Sequence, residues 1–313
     1  MLTVILNLAG GLVMLMIGGE GLVKGAVSTG LRFGLTPLAA GLTIVAFGTS
    51  APELMVNLRA ATLGQDGLAV GNVVGSNIAN IGLILGVSVL VSPLKLDVRA
   101  VRNEVYIMAF SMLLLVLFLL DGRLERFEAM ILVAGIIINI FINMRAARRA
   151  RSVSHQKYRE SVHGADLPAW KGLTLITVGL AMLVGGGFFF VKGAVQLAAA
   201  LGASPALIGL TVVAIGTSLP ELATSSIAAV RGYGDMAIGN VVGSNTFNVL
   251  AVLGLTALIM PLDRSAVSNI DLMVMLAFSL YMVRLMRLGV RIARWEGAVL
   301  LAAFCSYMAW LVA

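Results

Sequence analysis

The chain has 313 residues, of which 59% are hydrophobic and only 12% charged, and its formal net charge is +7. Its mean hydropathy of +1.00 is more than a soluble domain of this length could hide from water, so the composition indicates an integral membrane protein. The one cysteine, Cys305, excludes an internal disulfide and a thiolate metal cluster.

Ten apolar stretches are long enough to cross about 30 Å of hydrocarbon. In the first half of the chain they cover residues 2–26, 36–60, 68–91, 101–120 and 126–144. In the second half they cover residues 171–200, 205–229, 236–260, 267–287 and 295–313. The predicted fold is therefore an all-α membrane protein with ten transmembrane helices, five in each half.

Two motifs occur twice, at a constant separation of 168 positions. The sequence GLTIVAFGTSAPEL at 41–54 recurs as GLTVVAIGTSLPEL at 209–222, and GNVVGSNIAN at 71–80 recurs as GNVVGSNTFN at 239–248. The two halves are thus copies of one unit. Because each copy has an odd number of predicted spans, the second copy starts from the opposite face, which predicts inverted-topology repeats.

The predicted domains follow from this duplication and from the one long polar stretch. The first five-helix repeat covers 1–144, a basic linker covers 145–170, and the second, inverted repeat covers 171–313. Of the 22 lysine and arginine residues, 17 lie on the linker side of the predicted spans. The positive-inside rule then places the linker in the cytoplasm and both termini outside a cell (plasma) membrane. The net charge is a topology signal, so we expect the lipid bilayer, and no nucleic acid, as a partner.

Glu53 and Glu221 lie in the middle of predicted spans, at equivalent positions of the two repeats. A carboxylate there costs several kcal/mol unless it is paired or faces a polar cavity, so each is a candidate functional residue. The alternative is a structural ion pair with Lys24 or Lys192. Those lysines lie near span ends, from which they could reach the interface instead.

Further oxygen-bearing side chains accompany each glutamate. Four pairs are spaced four residues apart, as on one face of a helix: Thr49 and Glu53, Ser76 and Asn80, Thr217 and Glu221, Ser244 and Asn248. Pro52 and Pro220 remove an amide donor, which kinks the helix and frees backbone carbonyls. Gly71, Gly75, Gly239 and Gly243 favour close helix packing. An all-oxygen ligand set suits calcium or sodium and does not suit zinc or copper.

These motifs resemble the two alpha repeats of sodium/calcium exchangers in the cation/calcium antiporter superfamily. The resemblance covers both motif blocks and their spacing. It implies a central core of motif-bearing helices that holds one calcium site and neighbouring sodium sites. It also implies a secondary active antiporter, not an enzyme, that exchanges about three sodium ions for each calcium ion by alternating access and is electrogenic. We expect a functional monomer with no cofactor, whose transported ions are calcium and sodium.

Carried over position by position, the resemblance assigns calcium to Glu53, Glu221, Thr49 and Thr217. It assigns sodium to the side chains of Ser50, Ser76, Asn80, Ser218, Ser244 and Asn248 and to the carbonyls of Ala46 and Ala214. Asn248 departs from potassium-dependent relatives, which have Asp there, so potassium coupling is not expected.

Three other functions compete with sodium/calcium exchange. One is a proton-coupled divalent cation exchanger, although that branch has a GNAVE-type motif where this chain has GTSAPE and GTSLPE. An intramembrane enzyme would need a histidine, an arginine or a nucleophile beside the glutamates. A passive channel would differ from an exchanger in the counter-ion dependence of its flux.

Overall fold

The computed structural model describes residues 2–95, 98–150, 167–202, 214–288 and 291–312, and most of them are helical. The helices of the first half are α1 (Leu2–Arg32), α2 (Pro37–Ala40), α3 (Ala46–Thr49), α4 (Ala51–Thr62), α5 (Asp66–Ala79), α6 (Gly86–Val91), α7 (Val98–Phe118) and α8 (Arg126–Ala150). Those of the second half are α9 (Ala169–Ala200), α10 (Ala214–Gly216), α11 (Leu219–Val230), α12 (Gly234–Phe247), α13 (Gly254–Ile259), α14 (Asn269–Leu288) and α15 (Arg294–Val312). Most of the predicted linker, with His155 and His163, lies outside the described residues.

Short strands connect the two halves. They are β1 (Leu94–Lys95), β2 (Arg123–Leu124), β3 (Leu262–Asp263) and β4 (Arg291–Ile292). Strand β1 pairs antiparallel with β4, and β2 pairs antiparallel with β3. Since β3 and β4 lie 168 positions after β1 and β2, each pair joins one strand of the first half to one of the second.

Seven of the described helical segments are long and apolar enough to cross a membrane, and an eighth is bent. The seven are Leu2–Arg32, Asp66–Val91, Val101–Asp121, Arg126–Asn143, Ala169–Ala200, Gly234–Ile259 and Asn269–Arg287. These segments confirm the all-helical membrane class. The count of ten spans and the inversion of the repeats remain predictions, and the stretch 205–229 falls partly outside the described residues.

Helices α1 and α9 pack against each other along a stripe of glycines spaced seven residues apart. A β-carbon added at Gly18 would lie 2.8 Å from the carbonyl oxygen of Gly179, so the two backbones are in direct contact. The facing pairs are Gly11 with Gly186, Gly18 with Gly179, and Gly25 with Gly172. Because one number rises as the other falls, the helices are antiparallel. Small residues permit this approach in membranes, where packing holds helices together.

The motif-bearing helices form the centre of the molecule. The apolar windows of Asp66–Val91 and Gly234–Ile259 are each 78% buried, compared with 11% for Arg126–Asn143. A β-carbon at Gly239 would lie 2.6 Å from the carbonyl oxygen of Leu38, and one at Gly243 would lie 2.8 Å from the Ala46 side chain. These two glycines therefore do pack helices closely. Of the positions that repeat symmetry would place against Gly71 and Gly75, 206, 209 and 210 lie outside the described part of the chain.

Candidate cation site

The helix that carries Glu53 is broken beside it. Helix α3 ends at Thr49, α4 begins at Ala51, and the segments Pro37–Thr49 and Ala51–Thr62 are bent by 40°. The hinge residue Ser50 leaves helical geometry with φ −87° and ψ 2°, and its counterpart Ser218 has φ −91° and ψ 6°. The continuous helical face predicted for Thr49 and Glu53 is therefore interrupted. Proline in the first turn after each hinge explains the break, because it supplies no amide hydrogen.

Three π-helical segments lie in the described part of the core, and the sequence did not predict them. They are Gly41–Val45, Asn80–Leu85 and Asn248–Leu253. Two of them begin at the predicted ligands Asn80 and Asn248, and the third ends beside Ala46. A π turn inserts one extra residue and is common at functional sites. The apolar pattern of these stretches does not differ visibly from that of a regular α-helix, so no sequence signal marked them.

Nearly all predicted ligands are buried in the core. Relative exposure is 2% or less for Ala46, Thr49, Ser50, Glu53, Ser76, Asn80, Ser218, Glu221, Ser244 and Asn248. Thr217 is half-buried, with its hydroxyl oxygen out of contact with solvent, and Ala214 is the first residue of α10. The structure thus brings both copies of the motif into one buried region.

Side chains from the two halves meet in this region. The Ser50 hydroxyl donates to Glu221 Oε1 over 3.3 Å, and the Thr49 hydroxyl lies beside the same carboxylate. Asn80 Nδ2 donates to Asn245 Oδ1 over 3.1 Å. Glu53 and Glu221 are close enough to interact electrostatically. The two repeats therefore build one site together.

Many oxygens of the site have no hydrogen-bond partner among the described residues. They are Oε2 of Glu53 and of Glu221, the hydroxyls of Ser76, Thr217, Ser218 and Ser244, and the amide oxygens of Asn80 and Asn248. A buried polar group without a partner costs about 1–3 kcal/mol, so native structures rarely concentrate them. Cations bound as substrates would supply the missing partners, and oxygen ligands are those that calcium prefers.

The alternative ion pairs with lysine are not formed. Lys24 Nζ lies 2.9 Å from Glu20 Oε1 instead, and Arg231 Nη2 lies 2.7 Å from the same oxygen. Within the described ranges, no ion pair links Glu53 or Glu221 to a basic residue. Both core carboxylates are thus available to ions.

Sequence reasoning missed a set of polar residues behind the ligands. The Thr49 hydroxyl lies 3.3 Å from Asn240 Oδ1, and Asn240 Nδ2 donates to Ser225 Oγ over 2.9 Å. In the other half, Asn72 Nδ2 donates to Asn57 Oδ1 over 2.7 Å. The signal that could have found them was the recurrence of an intramembrane Asn at position 72 and again at 240.

The two ends of the site are not equivalent. A cavity of about 350 Å³ follows α9 beside Gly187 and Lys192 and reaches Thr217 and Pro220. The nearest described atom to a β-carbon at Gly187 would be the Gly216 carbonyl oxygen, at 3.9 Å.

At the equivalent position of the first half, the chain is closely packed. A β-carbon at Gly19 would lie 2.6 Å from Ile227 Cδ1. Because α1 and α9 are antiparallel, Gly19 and Gly187 lie in opposite halves of the membrane region. Among the described residues, the end of the site beside Gly19, here named the closed end, is therefore closely packed, and the end beside Gly187, the open end, borders the cavity.

Buried carboxylates and unpartnered oxygens at the centre of an all-helical membrane fold define a cation transport protein. The sequence profile of the sodium/calcium exchanger protein family matches residues 3–145 and again 171–313. The chain belongs to the sodium/calcium exchanger family, which consists of transporters and not of enzymes.

Individual relatives match over nearly their whole length. A putative antiporter, CaxA, of Alkalimonas amylolytica is 38% identical over 303 residues, which are 95% of each chain. The sodium/calcium exchanger MaX1 of Methanosarcina acetivorans is 35% identical over 336 aligned positions, again 95% of each chain. A solved structure of the sodium-calcium exchanger NCX_Mj superimposes with a TM-score of 0.84 at 30% identity and covers 98% of both chains.

Proposed function

We propose that this protein exchanges sodium for calcium across the membrane by alternating access. The observation that carries the proposal is the cluster of buried oxygens without partners around Glu53 and Glu221. Two ionised carboxylates give the site a charge of −2, which one calcium ion or two sodium ions neutralise. Calcium is held by Glu53, Glu221, Thr49 and Thr217 in this proposal.

Sodium is held by the remaining oxygens of the same cluster. The ligands proposed for it are the side chains of Ser50, Ser76, Asn80, Ser218, Ser244 and Asn248 and the carbonyls of Ala46 and Ala214. Because Ser50 bonds directly to Glu221, the sodium and calcium ligands are in contact. Like charges about 4 Å apart repel by about 4 kcal/mol at an effective dielectric constant of 20, so the two ions exclude each other. Competition for one site, opened to one side at a time, produces exchange.

The proposed orientation places the basic linker in the cytoplasm and both termini outside the cell membrane. The second half of α1, with Gly19, is then cytoplasmic, and the second half of α9, with Gly187, is extracellular. The cavity beside Thr217 opens outward in this arrangement. In this proposal the conformation is outward-facing, and the close packing of Gly19 against Ile227 helps to keep the cytoplasmic side closed.

Flux in proteoliposomes tests the proposal. Vesicles containing the purified protein and loaded with sodium should take up radioactive calcium when diluted into sodium-free buffer, and external sodium should inhibit that uptake competitively. Parallel vesicles with an imposed proton gradient and no sodium test the proton-coupled alternative. Uptake that requires the proton gradient and ignores sodium would overturn sodium coupling, and uptake with no counter-ion would indicate a channel.

A further inference from the structure

Asn240 stands between a calcium ligand of one repeat and the glutamate-bearing helix of the other. Its side chain is 1% exposed and belongs to α12. On one side Oδ1 faces the Thr49 hydroxyl at 3.3 Å, and on the other Nδ2 faces Ser225 Oγ at 2.9 Å and Thr224 Oγ1 at 3.5 Å. Ser225 lies one helical turn beyond Glu221. Asn240 thus joins three separate elements of the core.

The neighbours fix which way the amide points. Thr224 donates its one hydroxyl proton to the Pro220 carbonyl, so its oxygen can only accept from Asn240. The NH2 group must therefore face Thr224 and Ser225, and the amide oxygen must face Thr49. Asn240 is held as a hydrogen-bond acceptor for the Thr49 hydroxyl.

Thr49 has more acceptors than protons. Its hydroxyl also lies 3.1 Å from the Val45 carbonyl oxygen and 3.5 Å from that of Ala46, the usual partners of a threonine within a helix. A hydroxyl that binds calcium through its oxygen must direct its proton away from the ion. If the proton goes to Ala46, it occupies an oxygen that is a proposed sodium ligand. The Val45 carbonyl and the Asn240 amide oxygen are both acceptors that are not proposed ligands. Of the two, Asn240 connects Thr49 to the helix that carries Glu221, whose carboxylate also lies beside the Thr49 hydroxyl.

We propose that Asn240 is a positioning residue for cation binding, which takes the Thr49 proton and so presents the Thr49 oxygen to calcium while leaving the Ala46 carbonyl to sodium. This inference rests on the proposed function, because it concerns the same site. It predicts that Asn240 acts on calcium affinity through the Thr49 hydroxyl and not through packing.

The repeat counterpart of Asn240 provides a matched control. Asn72 is only half-buried, its amide donates to Asn57, and Val56 replaces the threonine found at 224. The Thr217 hydroxyl has no hydrogen-bond partner in the described part of the chain. Asn72 therefore makes no bond of this kind, and its replacement should not be coupled to Thr49.

A double-mutant cycle tests the inference. Calcium dissociation constants are measured by calorimetry on the full-length protein in sodium-free detergent buffer for Asn240→Leu, Thr49→Val and the double variant. Loss of one hydrogen bond should raise the dissociation constant about fivefold in Asn240→Leu. The double variant should bind no more weakly than Thr49→Val, because both changes remove the same interaction. For the control pair, Asn72→Leu and Thr49→Val, the factors by which each substitution changes the calcium dissociation constant should instead multiply in the double variant.

Ser225→Ala keeps the test decisive if Asn240→Leu fails to fold. This substitution removes the hydrogen bond that holds the Asn240 amide, and it changes the side-chain volume very little. We expect it to weaken calcium binding less than Asn240→Leu does, and to have no effect on calcium binding in the Thr49→Val background. The inference would be overturned if Asn240→Leu or Ser225→Ala raised the calcium dissociation constant by the same factor in the Thr49→Val background as in the wild type. Unchanged calcium affinity in Asn240→Leu would also overturn it.

A measurement of calcium flux distinguishes failure of this inference from failure of the proposed function. A wild-type protein that binds calcium but shows no sodium-driven uptake contradicts the exchange function, while the binding cycle still decides the role of Asn240. A wild-type protein that binds no calcium contradicts both.

Discussion

The Ser50 hydroxyl, from the first half of the chain, donates a hydrogen bond of 3.3 Å to Glu221 Oε1, from the second half. Neither repeat alone can therefore form the site. The bond also lies at the hinge between α3 and α4, where the helix bends by 40°. We expect a change in the charge or ion occupancy of Glu221 to act on the hinge of the opposite repeat through this bond, and the proposed alternating access needs a coupling of this kind.

The first prediction concerns the charge of the site. Glu53→Gln or Glu221→Gln should reduce calcium binding at least about a thousandfold, since the lost attraction between a divalent ion and a carboxylate exceeds the value of about 4 kcal/mol for two unit charges about 4 Å apart. The apparent melting temperature in detergent should not fall, because a neutral amide of the same shape replaces a buried charge without a basic partner. Calorimetry and thermal unfolding of purified variants measure both effects.

The matched control is Glu128→Gln, at a helix start remote from the motifs. Glu128 Oε2 accepts from the backbone amide of Glu125 and contributes only to capping α8. This variant should bind calcium as the wild type does. Normal calcium binding in either core variant would remove the glutamates from the site.

The second prediction tests the contact between α1 and α9. Gly18→Ala should destabilise the protein by about 1–3 kcal/mol, because its β-carbon would lie 2.8 Å from the Gly179 carbonyl and the helices must separate. Gly10→Ala is the control, since no described atom lies within 4 Å of the added carbon. Thermal unfolding in detergent compares the two. Equal melting temperatures would mean that the helices do not pack as closely as described.

The third prediction concerns the closed end. Arg231, just after α11, contacts Glu20 of α1 twice, with Nη2 at 2.7 Å from Oε1 and Nε at 3.0 Å from Oε2. The repeat counterparts of these residues are Leu63 and Phe188, so no such pair can form at the other end. Arg231→Leu should therefore favour opening of this end. The Arg231 and Glu20 side chains are 55% and 25% exposed, which limits the expected effect to about 1 kcal/mol, or about fivefold in population.

Thiol accessibility measures that opening. Ile227→Cys in a Cys305→Ser background reports whether the contact with Gly19 is open, through its labelling rate with a membrane-impermeant reagent. Arg231→Leu should speed labelling up to about fivefold. Lys24→Gln is the control, because Lys24 and Glu20 belong to the same helix and their bond does not cross the interface. Equal labelling in both variants would show that the Glu20–Arg231 pair does not hold this end closed.

The sequence predicted the elements that depend on composition and on the repeat. Hydropathy located most of the helices, and the recurring Glu53 and Glu221 predicted the candidate site, because a carboxylate in an apolar span is costly unless it is paired or serves a polar site. The break at Ser50 was foreseeable only as a kink at Pro52. The π segments at Asn80 and Asn248 were not foreseeable, since one additional residue in a helical turn leaves the apolar pattern intact.

The difference between the two ends of the site also could not be read from the repeats. Nearly identical motifs predict equivalent environments for Gly19 and Gly187, yet among the described residues Gly19 packs closely and Gly187 does not. If the repeats alternate between two arrangements, as the proposed function requires, the conformation adopted depends on small differences outside the motifs. The replacement of Arg231 and Glu20 by leucine and phenylalanine in the other half is one such difference.

The last prediction concerns the charge that crosses the membrane. If three sodium ions exchange for one calcium ion, each cycle moves one net positive charge, which corresponds to about 2.3 kcal/mol per 100 mV. Flux should then respond to voltage and require no potassium. Asn248 supports this expectation, because its buried amide oxygen has no partner among the described residues and offers a ligand without adding a third negative charge.

Asn248→Asp tests the argument directly. An ionised Asp would raise the site charge to −3, so the variant should acquire a dependence on an additional monovalent cation and on pH that the wild type lacks. The measurement is calcium uptake into proteoliposomes whose voltage is set by potassium and valinomycin, repeated with a lithium or choline replacement and across pH. Thr246→Val is the control on the same helix, since its hydroxyl bonds only the Val242 carbonyl. Wild-type uptake that needs transported potassium, or that ignores voltage, would contradict the proposed stoichiometry.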